Sequence, residues 1–411
     1  MPVRPSVVIV GAGMAGLTCA VYLKQAGLDA LIVEASDGVG GRVRTDRVDG
    51  FRLDRGFQIL LTAYPETKRL LDYTALRLQS FRSGALIRDE DRWMLFINPL
   101  QEPTGIFPTL FSPVGTFADK LRVVELMGRV SGIPTYDLFR QQATSTQSFL
   151  EDFGYSDRII NLFFRPFFGG VFLEDSLRTS SNFFEFCFKT FYSGDAAVPA
   201  LGMQAIPDQL AARLDASQIR LNTPVEAIEG QTLRLANGET IQADTIVLAV
   251  DAHAAQRLLG TPTEPRFNKT TCTYFAAPAS PKPEKLLMLN PHRQAAVHNV
   301  AIMSDVARDY APAGQTLISV STQGLDAVNQ EGLTERIRRE LTDWFGEEVK
   351  AWRWLRTYHL PEALPQYNAD ARPAPLKLAE NLYQCGDQTS YPSLNAAMQT
   401  GREVAQQIIK N

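Results

Sequence analysis

The sequence predicts an α/β fold: a dinucleotide-binding parallel-sheet domain assembled from separate stretches of chain, with an α+β domain inserted between them. Three observations predict it. Residues 7–27 read VVIVGAGMAGLTCAVYLKQAG, a β-branched run, a glycine-rich turn and a helical stretch, with Glu34 seven residues further on in LDALIVEA. TIVLAV at 245–250 is a second continuous apolar run. NLYQCGDQTSYPSLNAAMQTGREVAQQII then reads as strand, loop and helix near the C-terminus. Continuous apolar runs suit strands buried on both faces of a parallel sheet.

Each element has its reason. Gly11 permits the tight turn out of the first strand, Gly13 removes the side chain where a pyrophosphate must approach, and Gly16 lets the helix pack on the sheet. The helix, roughly 14–26 with Ala15 in its first turn, aims its free N–H groups and positive dipole end at the phosphates. Gly27 suits a left-handed cap. Glu34, followed by Ala35, stands where a carboxylate accepts hydrogen bonds from a ribose. A GxGxxG alone is weak, but strand, helix and acid at these offsets are the Rossmann-type context that gives it meaning.

Residues 61–200 are rich in Phe and Pro and read as mainly helical, with FADKLRVVELMGRV taken as core packing rather than a membrane anchor. From 219, IRLNTPVEAIEGQTLRLANGETIQADTIVLAV alternates apolar and polar residues around Asn237-Gly238, which predicts short strands and a hairpin. Residues 266–370 mix strands (TLISVST) with helices (LTERIRRELTDWF). The division expected is 1–60, 200–265 and 371–411 for the nucleotide domain. The substrate domain takes 61–199, largely helical, and 266–370, strand-containing.

Composition narrows the function. At 411 residues there is ample core for two domains. A formal net charge of −4 argues against nucleic-acid binding. No apolar run reaches membrane-spanning length, and MPVRPS leads into the first strand without a signal-peptide pattern. The expectation is a cytoplasmic protein, with peripheral membrane contact and oligomeric state left open. Cys19, Cys187, Cys272 and Cys385 are scattered, which suggests no disulfide framework. Four histidines without HxxxH spacing give a metal site no support.

Past Glu34 the chain reads ASDGVGGRVRT and then VDGFRLDRGFQIL. Here it resembles the flavin-dependent amine oxidase superfamily, closest to its phytoene-desaturase-like and protoporphyrinogen-oxidase-like branch. The resemblance implies FAD. Gly40, Gly41, Arg42 and Thr45 match a GGR-x-x-T/S motif that contacts the FAD diphosphate, glycines hugging the anion and a guanidinium binding it. By the same resemblance Gly56, Phe57 and Gln58 lie near the flavin ring, and Val225 in TPVEAI meets the adenine. CGDQTSYPSLNAAMQTG resembles a C-terminal signature in which Asp387, after Gly386, binds the ribityl or phosphate region. Leu394, Asn395 and Ala396 then sit at the pyrimidine edge, where a helix N-terminus favours negative charge on reduced flavin. Asn395 stands where many members carry Glu, and Ala396 and Thr400 replace Gly and Ser. No SGGCY-type stretch is present, so non-covalent FAD is expected.

For the reaction, the resemblance implies hydride removal to flavin N5, and no residue is singled out as catalytic. Relatives often use a Lys near N5; Lys269, Lys282 and Lys285 lie in the relevant region, and nothing selects one. IINLFFRPFFGGVFLEDSLRTSSNFFEFCFKTF resembles a segment walling a long apolar cavity, although aromatic stripes at helical spacing are also ordinary core. VPALGMQAIPDQLA and WLRTYHLPEALPQYN match the same branch, the latter bringing Pro365, Gln366 and Tyr367 toward the substrate. The expected partners are a hydrophobic small-molecule substrate and oxygen or another electron acceptor. Dehydrogenation at a C–C or C–N bond leads; an amine oxidase proper, a redox-neutral polyene isomerase and a non-turning-over flavin binder stay open.

Overall fold

Three distant stretches of chain meet in one six-stranded sheet. In the computed structural model, which describes residues 5–98, 101–102, 105–261 and 265–411, five strands run parallel. Their order is Ile219–Arg220, Ala30–Val33, Val7–Val10, Thr245–Leu248 and Leu382–Gln384, with Lys377–Ala379 antiparallel at the edge. Residues 1–4, part of the stretch read for a leader, lie outside the described residues. The predicted apolar runs hold the centre: all four residues of Val7–Val10 are buried. The helix Met14–Gln25 follows the first strand, and the C-terminal helix Leu394–Lys410 packs on it. Gly401 makes that approach possible, since a Cβ there would stand 2.3 Å from the Ala15 carbonyl oxygen. The hairpin around Asn237-Gly238 forms between Thr232–Leu235 and Thr240–Gln242.

A second sheet has seven strands. Its order is Arg353–Pro365, Phe267–Ala277, Thr316–Gln323, Asn299–Ile302, Leu287–Leu289, Gly84–Asp89 and Arg92–Ile97. One face, with Phe275, Ile318 and Val320, packs on the helix Gln330–Phe345 through Ile337 and Leu341. The other, with Cys272, Tyr274 and Leu317, joins the large core shared with the first domain's elements.

Residues 61–200 are mainly helical, as the sequence predicts, and carry strands as well. Besides helices, this stretch contains Leu78–Ser80, Ala196–Pro199 and the hairpin Gly84–Asp89/Arg92–Ile97, which completes the second sheet. The hairpin escapes sequence reading for two physical reasons. Its first strand is buried at four successive positions and so shows no alternation, and its turn puts Glu90, not Gly or Asn, at φ 49°. The phenylalanine run is largely core: Phe164, Phe168, Phe172, Phe183, Phe184 and Phe186 are buried, while Phe163, Phe167 and Phe191 are half-buried. Phe168 meets Phe184 edge-to-face at 4.7 Å between centroids.

FADKLRVVELMGRV forms the helix Phe117–Ser131, started by a capping box between Thr116 and Asp119. Leu126, Met127 and Val130 turn inward as expected of packing. Phe117, Leu121 and Val124 do not: they share the opposite face and are 62%, 57% and 60% exposed, beside Phe111 at 79%. No described helix is long and apolar enough to cross a membrane.

Candidate active site

The glycines of the first loop divide into two kinds. Gly11 has φ +106°, and a Cβ on it would lie 2.5 Å from the Ala249 carbonyl oxygen; one on Gly16 would lie 2.1 Å from that of Gly11. These two are demanded by chain packing. Gly13 is different, because a Cβ there meets nothing within 4 Å. Its backbone fronts open space at the carboxyl ends of the parallel strands, where such sheets bind ligands.

The GGR loop closes on the same point. Gly13 and Gly40 form an isolated parallel bridge, and the Gly40 N–H donates to the Ala12 carbonyl at 2.8 Å. Gly40 and Gly41 have φ +115° and +60°, and a Cβ on Gly41 would come 3.4 Å from Gly13 Cα. Arg42 leaves this loop, donates to the Ala363 carbonyl at 3.1 Å and pairs with Asp387. Two glycine loops, a cation and a helix N-terminus around open backbone fit a dinucleotide diphosphate.

The remaining predicted residues fall as follows. Glu34 is buried and accepts from the Ala12 N–H at 2.7 Å and from the Ser36 N–H and hydroxyl at 2.9 and 2.7 Å. Its carboxylate therefore stands beside the first loop, next to Ala35. Gly56 has φ +96° and runs against Leu360, whose Cδ1 would be 2.7 Å from a Cβ. Phe57 meets Phe81 edge-on at 6.1 Å, and Gln58 donates to the Arg42 and Arg55 carbonyls at 2.8 and 3.1 Å. Val225 is buried in a small cluster with Val33 and Leu235. The Gly386 N–H donates to the Thr400 hydroxyl at 3.0 Å, so the threonine still supplies an oxygen here.

At the C-terminal helix, Ser393 caps by accepting from the Ala396 N–H at 3.0 Å. Asn395, one residue past Leu394, is fully buried and turned inward. Its Oδ1 accepts from the Glu66 N–H at 3.0 Å and its Nδ2 donates to the Tyr391 hydroxyl at 2.8 Å. This exposes a network that the sequence does not advertise. Glu66, 1% exposed, takes both arms of Arg402 at 2.8 and 2.9 Å and the Tyr136 hydroxyl at 3.1 Å. Burial, with the Glu66 charge added, pushes the Tyr136 phenol up to about 12. Glu66 sits in PETKRL, indistinguishable there from a solvated helix charge.

Asp54 was also missed. Its carboxylate accepts from the Met203 N–H at 2.9 Å, the Tyr310 hydroxyl at 2.8 Å and Thr45, while its carbonyl accepts from Tyr274 at 2.9 Å. It thus joins the GGR hairpin to the second sheet. Burial raises it to about 6 against the pull of those donors.

None of the three candidate lysines turns inward with its neighbours. Lys269 pairs with Asp326 at the surface, whereas Asn268 and Thr270 beside it are buried. Lys282 lies over the Trp93 ring at 5.2 Å, and Lys285 occupies a left-handed turn at φ 52°. Pro365 pairs with Phe267 at a strand end, and the Gln366 N–H donates to the Arg266 carbonyl at 2.9 Å. Tyr367 does reach the phenylalanine run, 6.0 Å from Phe183 between centroids.

The geometry defines an α/β protein whose two glycine loops meet at Gly13 and Gly40 and reach the Asp387 segment through Arg42. The chain belongs to the flavin containing amine oxidoreductase family, whose model matches residues 14–409. It is 24% identical over 294 residues to a 4,4'-diapolycopene oxygenase from Methylomonas sp, covering 62% of this chain and 58% of that protein. It is 27% identical over 281 residues to an L-amino-acid oxidase from Demansia vestigiata, covering 63% and 53%. The chain thus spans about half the length of these curated relatives. An oxidoreductase structure from Methanosarcina mazei matches with a TM-score of 0.77 at 17% identity, over 97% of this chain and 99% of that one. That likeness supports a shared fold of mixed α/β content.

Proposed function

We propose that this protein is an FAD-dependent oxidoreductase that dehydrogenates a largely hydrophobic small molecule at a C–C or C–N bond, with oxygen or another acceptor taking the electrons. The observation that supports it is the contact of the Gly11–Gly16 loop with the Gly40–Arg42 loop at Gly13 and Gly40, and of Arg42 with Asp387 in the Gly386–Ala396 segment. When bound, the flavin supplies hydride acceptance at N5. The chain's own part is to bind and orient. Backbone N–H groups around Gly13 and the Arg42 guanidinium hold the diphosphate, and Glu34 receives the ribose hydroxyls. The N-terminus of Leu394–Lys410 favours negative charge at the ring edge.

Non-covalent attachment is supported by the thiols. All four are buried, and burial pushes Cys272 up to about 11 and Cys385 to about 12, so neither is a ready nucleophile. An amine oxidase proper is the second reading, favoured by the similarity to an L-amino-acid oxidase. The outward turn of Lys269 counts against it. Peripheral membrane contact belongs to the same proposal, supported by the exposed Phe111, Phe117, Leu121 and Val124. F117D/L121D should then lose sedimentation with phospholipid vesicles.

The deciding experiment is purification with a visible spectrum, followed by anaerobic bleaching against amines, tetrapyrroles and carotenoids. Bleaching by a polyene or tetrapyrrole supports the leading reading, and bleaching by amines alone supports the second. Turnover without change of mass would indicate an isomerase. Protein that stays colourless after incubation with FAD overturns all three.

A further inference from the structure

Three polar atoms lie buried without a partner around one glycine pair. They are His298 Nε2, Asn299 Oδ1 and Gln323 Oε1, all among the described residues. The helix Arg165–Phe172 covers them with its Gly169-Gly170 step. Gln323 Nε2 donates to the Gly169 carbonyl at 2.6 Å, which fixes that amide and leaves its oxygen free. A Cβ on Gly170 would stand 3.2 Å from Asn299 Nδ2 and 3.5 Å from His298 Nε2, so the helix lies directly against both side chains. Asn299 is only 4% exposed.

The protonation pattern makes these atoms acceptors. Burial lowers the His298 pKa to about 4, with the Pro166 carbonyl and Asp175 pulling the other way. The ring is therefore neutral at physiological pH. A neutral imidazole keeps one ring nitrogen as an acceptor, and the two amide oxygens can only accept. The nearby cations are already committed: Arg293 to Asp175 at 2.9 Å, Arg165 to the Asp175 carbonyl at 2.6 Å and to Gln147 at 2.8 Å.

Position links the cluster to the reaction site. Gln323 is in register with Thr270, and Thr270 with Leu360, which abuts Gly56. Two strand spacings, roughly 10 Å, thus separate Gln323 from Leu360, the residue that abuts the segment expected under the flavin. Orphaned buried polar groups are costly, and they are rare. Apolar side chains would serve a purely structural contact better.

We propose that His298, Asn299 and Gln323 bind a hydrogen-bond-donating group, a hydroxyl or an amine, carried by the substrate at the end remote from the bond oxidised. The inference rests on the oxidoreductase reading above, and its test separates the two. FAD retention is read first by absorbance on the purified protein. Calorimetry on FAD-loaded protein then compares decanol, decylamine and decanoate as probes. The alcohol and amine should bind at least about tenfold more tightly than the acid, and N299L should shrink that preference to within about threefold without lowering Tm. N299D, nearly the same size, should raise the amine's advantage over the alcohol and carries the test if N299L fails to fold. Equal binding of the three probes, or a preference unchanged in both variants, overturns the proposal. So does a lowered Tm in N299L with the preference intact, which would assign the cluster to a buried structural water. Protein without FAD would instead overturn the parent reading.

Discussion

The two sheets are furnished by opposite means. Around the six-stranded sheet the distinctive features are backbone: Gly11, Gly13, Gly16, Gly40 and Gly41 act by what they lack, and their spacing along the chain is fixed by the turns they make. Around the seven-stranded sheet they are side chain: Asp54 meets Tyr274 and Tyr310, and separately Gln323, His298 and Asn299 meet the Gly169-Gly170 step, from segments far apart in sequence. A backbone site is local and leaves a motif. A side-chain site is tertiary and leaves none.

The largest expected effect tests the junction of the two regions. Glu66→Ala strands the Arg402 guanidinium, which is 17% exposed, and should cost about 3–5 kcal/mol in chemical denaturation. Glu66→Gln should cost less, and equal losses in both would mean that charge is not what matters there.

Next come the two kinds of glycine. Gly16→Ala forces a methyl group against the Gly11 carbonyl and should destabilise by about 1–3 kcal/mol. Gly13→Val should leave the melting temperature nearly that of FAD-free wild type and yet abolish FAD retention. A yellow, FAD-loaded G13V would refute the phosphate placement.

Asp54 gives a pH signature. Its folded pKa, about 6, lies above the ordinary carboxylate value of 3.8. The native state therefore favours the protonated form: that contribution is complete below about pH 4 and lost as pH rises through 6. Relative to Asp54→Asn, wild type should lose about 2 kcal/mol between pH 4 and 7 and then level off. A flat difference across that window would mean the carboxylate is ionised throughout by its donors.

The smallest effect is at Glu34. Glu34→Ala should weaken FAD about tenfold while the protein stays folded, as read by titration and circular dichroism. Unchanged affinity would remove the ribose assignment.

The same contrast explains what the sequence discloses. VVIV, TIVLAV and the glycine spacing expose the parallel sheet because burial on both faces demands unbroken apolar runs. GALIRDEDRWMLFI hides a hairpin because its turn uses Glu90 in a glycine-like conformation. The Phe run is ambiguous in sequence because a ring sealed in core and a ring lining a cavity have the same spacing. Phe117, Leu121 and Val124 read as core because amphipathicity says that a helix has an apolar side, not what covers it. Glu66 and Asp54 look like surface charges because their partners, Arg402 and Tyr310, are hundreds of residues away.

The strand Leu382–Gln384 and the helix bearing Gly401 are made hundreds of residues after the first strand and helix, yet the strand joins their sheet beside Thr245–Leu248 and the helix packs on Met14–Gln25. During synthesis the Gly11–Gly16 loop must wait, its neighbours missing, until residues 380–401 have emerged. Coenzyme capture should accordingly follow the emergence of that segment. Ribosome-stalled chains ending before residue 380 should take up no flavin, and early capture by such chains would show that the N-terminal loop needs no C-terminal lid.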